Sequence, residues 1–152
     1  MTGDHRKPFT RDTSLGYQVN HAARLFAQAL HQRIAPLGVV PGQFAQLLAL
    51  FEADGQTQRE LCEQVGIEQP TMANTLQRME RDGLVRREPD PADGRRARVL
   101  LTDRARELEG PLVAAARAVN ATATRGLNAP EVAAVLAALT RIIDNLEKDA
   151  DT

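Results

Sequence analysis

The chain has 152 residues and a near-balance of charge, with 19 Lys and Arg against 20 Asp and Glu and a formal net of −1. That length suits one domain, or a small domain with helical extensions, and is enough to bury a real core. The charge balance excludes a polycation, so any nucleic-acid contact must come from a local patch, and the 3% aromatic content leaves a core of Leu, Ala, Val and Ile, which suits helices.

Residues 1–13 read as a flexible, charged N-terminal arm with no apolar segment of the kind a secretion signal needs. A first helix is predicted from about Ser14 to Ala35, with Leu15, Val19, Ala22, Phe26, Ala29 and Leu30 at three- and four-residue spacing. Pro36 and Gly38 end it. Pro41 suits the first turn of a second helix, whose predicted apolar face is Phe44, Leu47, Leu48 and Phe51, and Asp54-Gly55 breaks it.

Thr57-x-x-Glu60 is a capping box: the Thr hydroxyl accepts from the Glu60 N–H and the Glu carboxylate reaches back. It starts a third helix of about eight residues that stops at Gly66, with Ile67 packing inward. Gln69-Pro70-Thr71 begin a fourth helix that runs to Arg81 or Asp82, with Leu76 and Met79 toward the core and Gly83 at the C-terminal cap. Leu84–Arg87 and Arg98–Leu101 are short strand candidates flanking a run of turn formers, Pro89 to Gly94. Thr102 then caps a fifth helix to about Thr124. After Gly126, Asn128-x-x-Glu131 is a second capping box. It opens a last helix with Val132, Val135, Leu136, Leu139, Ile142, Ile143 and Leu146 in a stripe close to a coiled-coil seam.

A short capped helix, a tight turn, a second helix and an arginine-tipped ribbon make a winged helix-turn-helix. The predicted fold class is mostly α with a small two-stranded β wing, a winged helix-turn-helix with N- and C-terminal helices around it. In order and spacing these pieces resemble the MarR (multiple antibiotic resistance regulator) family of transcription regulators, from about Leu15 to Leu146. The most specific stretch runs from Asp82-Gly83-Leu84-Val85-Arg86-Arg87 through Asp93-Gly94-Arg95 to Leu101-Thr102. Ala105 departs from the glycine usual in the family after the Leu-Thr pair, a change that a helix tolerates.

The resemblance implies one domain over residues 14–152. Residues 14–39 and 103–152 would be dimerisation helices, and 40–102 the DNA-binding part. It implies a homodimer that presents two winged modules to a palindromic operator in double-stranded DNA. The last helix supports this from its own residues, because its stripe carries more Leu, Ile and Val than a small monomer covers.

The first residues of a recognition helix reach base edges in the major groove. Here these are Gln69, Pro70, Thr71, Asn74, Thr75 and Arg78. Gln and Asn suit adenine, Arg suits guanine, and Thr suits a phosphate or the thymine methyl. Arg95 matches the family's wing-tip arginine, whose guanidinium enters a narrow minor groove. Asp93 braces the wing, since phosphate repels a carboxylate. Arg86, Arg87, Arg96 and Arg98 are expected on the DNA backbone. From Arg78 to Arg98 seven arginines face five acids, a net of +2, whereas from Leu127 to Thr152 five acids face Arg141 and Lys148, a net of −3.

The resemblance also implies release from DNA by a small aromatic or phenolic effector between the dimer helices and the winged module, with Tyr17, His21, Arg24 and Phe44 as lining residues by analogy. Cys62, the lone cysteine, excludes an intrachain disulfide and fits a reducing cytosol. It sits within the helix-turn-helix with no basic neighbour, as an inert packing thiol does. His5, His21 and His31 lack metal-ligand spacing, and the chain shows no phosphate loop or nucleophile elbow. The expectation is therefore a cytoplasmic regulator, not an enzyme, with no metal, cofactor or membrane partner. The rivals are a winged module devoted to protein interaction and a single-cysteine redox regulator.

Overall fold

The computed structural model describes residues 7–152; Met1–Arg6, the start of the expected arm, lie outside the described residues. The chain divides into two compact units, one ending at Arg117 and the other running from Ala118 to Thr152.

In the first unit, α1 spans Leu15–Ile34, and Ser14 caps it by accepting the Tyr17 N–H at 3.2 Å. Only its last turn enters the core. Ile34 is fully buried and Leu30 packs beside it, whereas Leu15, Val19 and Phe26 of the predicted stripe are exposed. A 3₁₀ turn over Ala35–Leu37 and Gly38, at φ +78°, lead to α2, Pro41–Glu52. Its buried face differs from the predicted one. Leu47 is buried and Phe44 and Phe51 pack partly against the core, but Leu48 points outward, and Gln43, Gln46, Ala49 and Leu50 are buried instead. Gln43 tolerates burial because its amide is bonded at both ends: Oε1 accepts from the Val40 N–H and Nε2 donates to Asp82.

α3 covers Gln58–Val65 and α4 Gln69–Arg81. The predicted box at Thr57 forms, with Thr57 Oγ1 accepting from the Glu60 N–H at 3.2 Å and Glu60 Oε2 accepting from the Thr57 N–H at 3.3 Å. Gly66, at φ +73°, makes the turn between the two helices. Gly83, at φ +70°, ends α4: its N–H bonds the Glu80 carbonyl and the Leu84 N–H bonds the Met79 carbonyl. That pairing is the Schellman arrangement, which needs the left-handed conformation that glycine adopts without strain. Leu61, Met72, Leu76, Met79 and Leu84 are fully shielded from solvent and join Ile34, Leu47, Leu50 and Leu112 in one core. Each such aliphatic side chain contributes about 1.5–3 kcal/mol by leaving water.

The sheet has three strands, not the two expected. β2 (Val85–Pro89) and β3 (Ala97–Leu101) pair antiparallel from Val85↔Leu101 to Pro89↔Ala97, and a short β1 (Gln56–Thr57) lies on the other edge of β3. β1 has a local role: the buried Gln56 amide donates to the Ala49 and Ala53 carbonyls, closing the C-terminal end of α2. Thr102 then caps α5, Asp103–Ala123, by accepting the Ala105 N–H while its hydroxyl donates to the Gly83 carbonyl. Ala105 is fully buried.

The second unit holds the end of α5 and α6, Ala129–Ala150. The predicted Asn128–Glu131 box is formed, with both bonds at 2.9 Å. No residue of α6 is buried, and Val135, Leu136, Ile143 and Leu146 are each at least half exposed. No single helix among the described residues is long and apolar enough to cross a membrane.

Candidate nucleic-acid interface

The recognition helix α4 is held at both ends. At its N-terminus the chain enters extended at Glu68, and Pro70 occupies the first turn, where a missing N–H costs nothing. At its C-terminus Gln43 Nε2 donates to Asp82 Oδ2 at 2.8 Å, and the Arg104 guanidinium of α5 donates to the Asp82 carbonyl. The helix is therefore pinned to α2 and α5 through one residue.

The apolar face of α4, Met72, Leu76 and Met79, is buried, which turns the opposite face outward. On that face Pro70, Thr71, Asn74 and Arg78 are exposed; Gln69 is exposed at the helix's first position, on the side of Leu76 seven residues on; Thr75 is half-buried and its hydroxyl donates to the Thr71 carbonyl at 2.9 Å. Four of the six residues expected to read bases thus share one open face, with Gln69 at its leading end and Thr75 at its margin. Arg78 and Arg81 have no carboxylate within ion-pair distance among the described residues. Both sit in the last turns of the helix, where the helix dipole favours a cation.

The wing presents Arg95 at its tip with 95% of the side chain exposed. Asp93 shapes that tip: its Oδ1 accepts the Arg95 N–H at 3.1 Å and its carbonyl accepts the Arg96 N–H at 3.0 Å. Its carboxylate lies 3.6 Å from the Arg95 guanidinium and 3.8 Å from that of Arg96, a loose contact for exposed side chains. Asp90 holds the other side of the turn by accepting the Ala92 N–H at 2.9 Å.

The remaining arginines differ in placement. Arg86 pairs with Glu88, and Arg87 with Glu80 of α4 at 2.6 Å. Arg98 turns away from the tip and is half-buried: its Nε donates to the Gly55 carbonyl at 2.7 Å. The neighbouring Asp54 accepts the Leu101 and Gly55 N–H groups, each at 2.9 Å, and pairs with Arg106 at 3.0 Å. Arg98 and Asp54 together therefore lock the wing strands to the turn after α2.

Three residues of this surface escaped the sequence reading. Gln58, first in α3, donates through Nε2 to Gln69 Oε1 at 2.8 Å. With Thr57, Arg59, Gln69, Arg96 and Ala97 it lines a groove of about 250 Å³ between the start of the recognition helix and the wing. Arg59 in that groove was missed, and so was Arg81, which borders a second hollow of about 480 Å³ with Gly38, Val40, Gln43, Arg78 and Asp82. Only the run of Arg at 78 and 81 carried a signal in the sequence; no spacing rule links positions 58 and 69.

Of the four residues expected at an effector site, Tyr17 and His21 meet edge to face, with ring centroids 6.1 Å apart, on the exposed side of α1. Arg24 is also exposed on α1, and Phe44 packs partly into the core from α2. Cys62 is half-buried beside the core; burial, and secondly the charge of Glu63, push its thiol pKa up. Among the described residues no group of three or more His, Cys, Asp or Glu is placed to hold a metal ion.

A family model described as the MarR family matches residues 37–96, from the end of the 3₁₀ turn to the wing tip. The chain is 34% identical to the transcriptional regulator PA3341, whose crystal structure superposes with a TM-score of 0.77 over 89% of this chain and 99% of that one. It is 25% identical to Bordetella bronchiseptica BpsR, at a TM-score of 0.82 over 90% of this chain and 98% of that one; that structure is described as the mechanism by which 6-hydroxynicotinic acid regulates its DNA binding. A Listeria monocytogenes protein described as a MarR family regulator, complexed with 26mer DNA, is 20% identical and shares the fold at a TM-score of 0.84, over 90% and 91% of the two chains.

Proposed function

The chain belongs to the MarR family of transcriptional regulators, and from that premise we propose that it is a homodimeric repressor that reads a palindromic operator and leaves it when a small aromatic acid or phenol binds. The observation that carries the DNA reading is the pairing of two exposed elements on one winged module: the polar face of α4 from Gln69 to Arg78, and Arg95 at the wing tip. A helix of that face enters the major groove, and a guanidinium on a thin ribbon enters the adjacent minor groove, where A·T-rich sequence concentrates negative potential.

Arg96 from the wing, with Arg86 and Arg87 beside it, supplies backbone contacts. Arg86 and Arg87 exchange their present carboxylate partners for phosphate on binding. The dimer rests on α6, whose Val135, Leu136, Ile143 and Leu146 stay at least half exposed within one chain. A two-fold partner is the ordinary cover for such a stripe. Repression is then steric, by occupation of a promoter. Release by an effector is supported by the relative whose DNA binding is described as regulated by 6-hydroxynicotinic acid. It requires that the effector bind the released conformation more tightly than the DNA-competent one. Tyr17, His21, Arg24 and Phe44 are the proposed lining residues.

Footprinting on the DNA upstream of the protein's own gene tests the arrangement. Two protected half-sites about one helical turn, ~34 Å, apart are expected. A single protected patch would remove the dimeric reading, and no protection at any sequence would remove the DNA reading.

A further inference from the structure

Gln58 and Gln69 are the first residues of α3 and α4, brought side by side by the Gly66 turn. Gln58 is half-buried, and its Nε2 donates to Gln69 Oε1 at 2.8 Å. Gln69 is exposed at the leading end of the recognition helix. A free glutamine amide rotates, and offers a base either its oxygen as acceptor or its nitrogen as donor. Here the oxygen accepts a bond within the protein, and the NH₂ group of the exposed Gln69 makes no hydrogen bond among the described residues.

We infer that Gln58 is a specificity-determining partner: by occupying Gln69 Oε1 it fixes the amide so that Gln69 meets DNA as a donor. The inference rests on the proposed DNA reading. In the major groove guanine offers two acceptors, N7 and O6, thymine offers O4, and adenine offers N7 beside a donor; cytosine offers only the N4 donor. A Gln69 held so that its NH₂ meets the base therefore favours guanine and disfavours cytosine at the base it faces. Gln58 touches no base in this account. It acts through Gln69, and the groove it lines with Arg59 and Arg96 lies directly beside that contact.

The test is selection of bound duplexes from a randomised library by the full-length protein, followed by sequencing. The position read by Gln69 is the one whose preference disappears in Gln69→Ala. At that position the wild type is expected to favour guanine, and Gln58→Ala to weaken discrimination against cytosine roughly tenfold, the scale of one lost base contact. Gln58→Glu gives the sharper result. A carboxylate cannot donate to Oε1 but accepts from Nε2, so the Gln69 amide turns over and the preference moves toward cytosine and adenine, which offer donors. An enriched motif that is identical in wild type, Gln58→Ala and Gln58→Glu would overturn the inference and leave the DNA reading standing. Failure of the wild type to enrich any motif would overturn the DNA reading and the role of the pair with it.

Discussion

Replacing Gly55 by alanine tests the lock between the wing and the turn after α2. Gly55 sits at φ +74°, and a Cβ added there would overlap a guanidinium nitrogen of Arg98 and lie 3.0 Å from its central carbon. The methyl group and the present Arg98 position are incompatible, so the side chain must leave and give up its bond to the Gly55 carbonyl. The left-handed backbone costs alanine about 1 kcal/mol after the gain from a stiffer unfolded chain. The lost charged hydrogen bond, at a half-exposed site, costs about 1.5 kcal/mol, the low end of its range. Gly55→Ala is therefore expected to destabilise by about 2.5 kcal/mol and Arg98→Ala by about 1.5 kcal/mol. The double variant loses the bond only once and stays near 2.5 kcal/mol, a coupling of about 1.5 kcal/mol. Urea unfolding followed by circular dichroism, at one fixed protein concentration because a dimer's stability depends on it, reads all four proteins. Single-variant costs that simply add, to within about 0.5 kcal/mol, would refute the steric and hydrogen-bond reasoning.

The same placement makes Arg98 unlike its neighbours. Arg98→Ala should leave the salt dependence of DNA binding unchanged, whereas loss of a phosphate contact at Arg96 lowers the slope by about 0.9 per phosphate released. Thr57→Ala removes the capping bond to Glu60 and should cost about 1 kcal/mol in urea unfolding; no change would mean the cap contributes nothing. Leu136→Asp with Ile143→Asp places two charges on the α6 stripe, and sedimentation should then report the monomer mass; an unchanged dimer would move the interface elsewhere. At Cys62 a raised pKa means less thiolate at any pH below it. Alkylation by iodoacetamide at pH 8 should therefore run slower than for a free thiol, and its rise with pH should lie above the free thiol's range. Fast alkylation would revive the redox reading.

Legibility in the sequence followed the range of each signal. The two capping boxes and both ends of α4 were readable because their chemistry is local: Thr57 with Glu60, Asn128 with Glu131, Pro70 inside the first turn and Gly83 just past the last. β1 was not readable. Two residues have no periodicity, and Gln56-Thr57 pair with β3 only after some forty residues of chain have closed the loop. The face of α2 was misjudged for a different reason. Gln43 and Gln46 look like surface residues, and the Gln43 amide earns its burial only through Asp82, 39 positions away. That rotation of the helix is what carries Leu48 outward. On the candidate interface, residue types and their order were visible from the outset, but individual roles were not. Arg95 and Arg98 are alike on paper, yet one is almost fully exposed at the tip with only a loose contact to Asp93 and the other is bound to the Gly55 carbonyl. The Gln58–Gln69 contact belongs to the same class, a pairing set by the turn geometry between two helices.

Whether the winged module reads DNA is decided by fluorescence anisotropy of the purified protein on the DNA upstream of its own gene, across a salt series, with scrambled duplex and the Arg95→Ala variant alongside. Sequence-preferring binding that falls steeply with salt, as neutralisation of several phosphates requires, is expected, with a loss of roughly 1–3 kcal/mol in the variant. Weak binding that ignores sequence, with Arg95→Ala indistinguishable from the wild type, would contradict it.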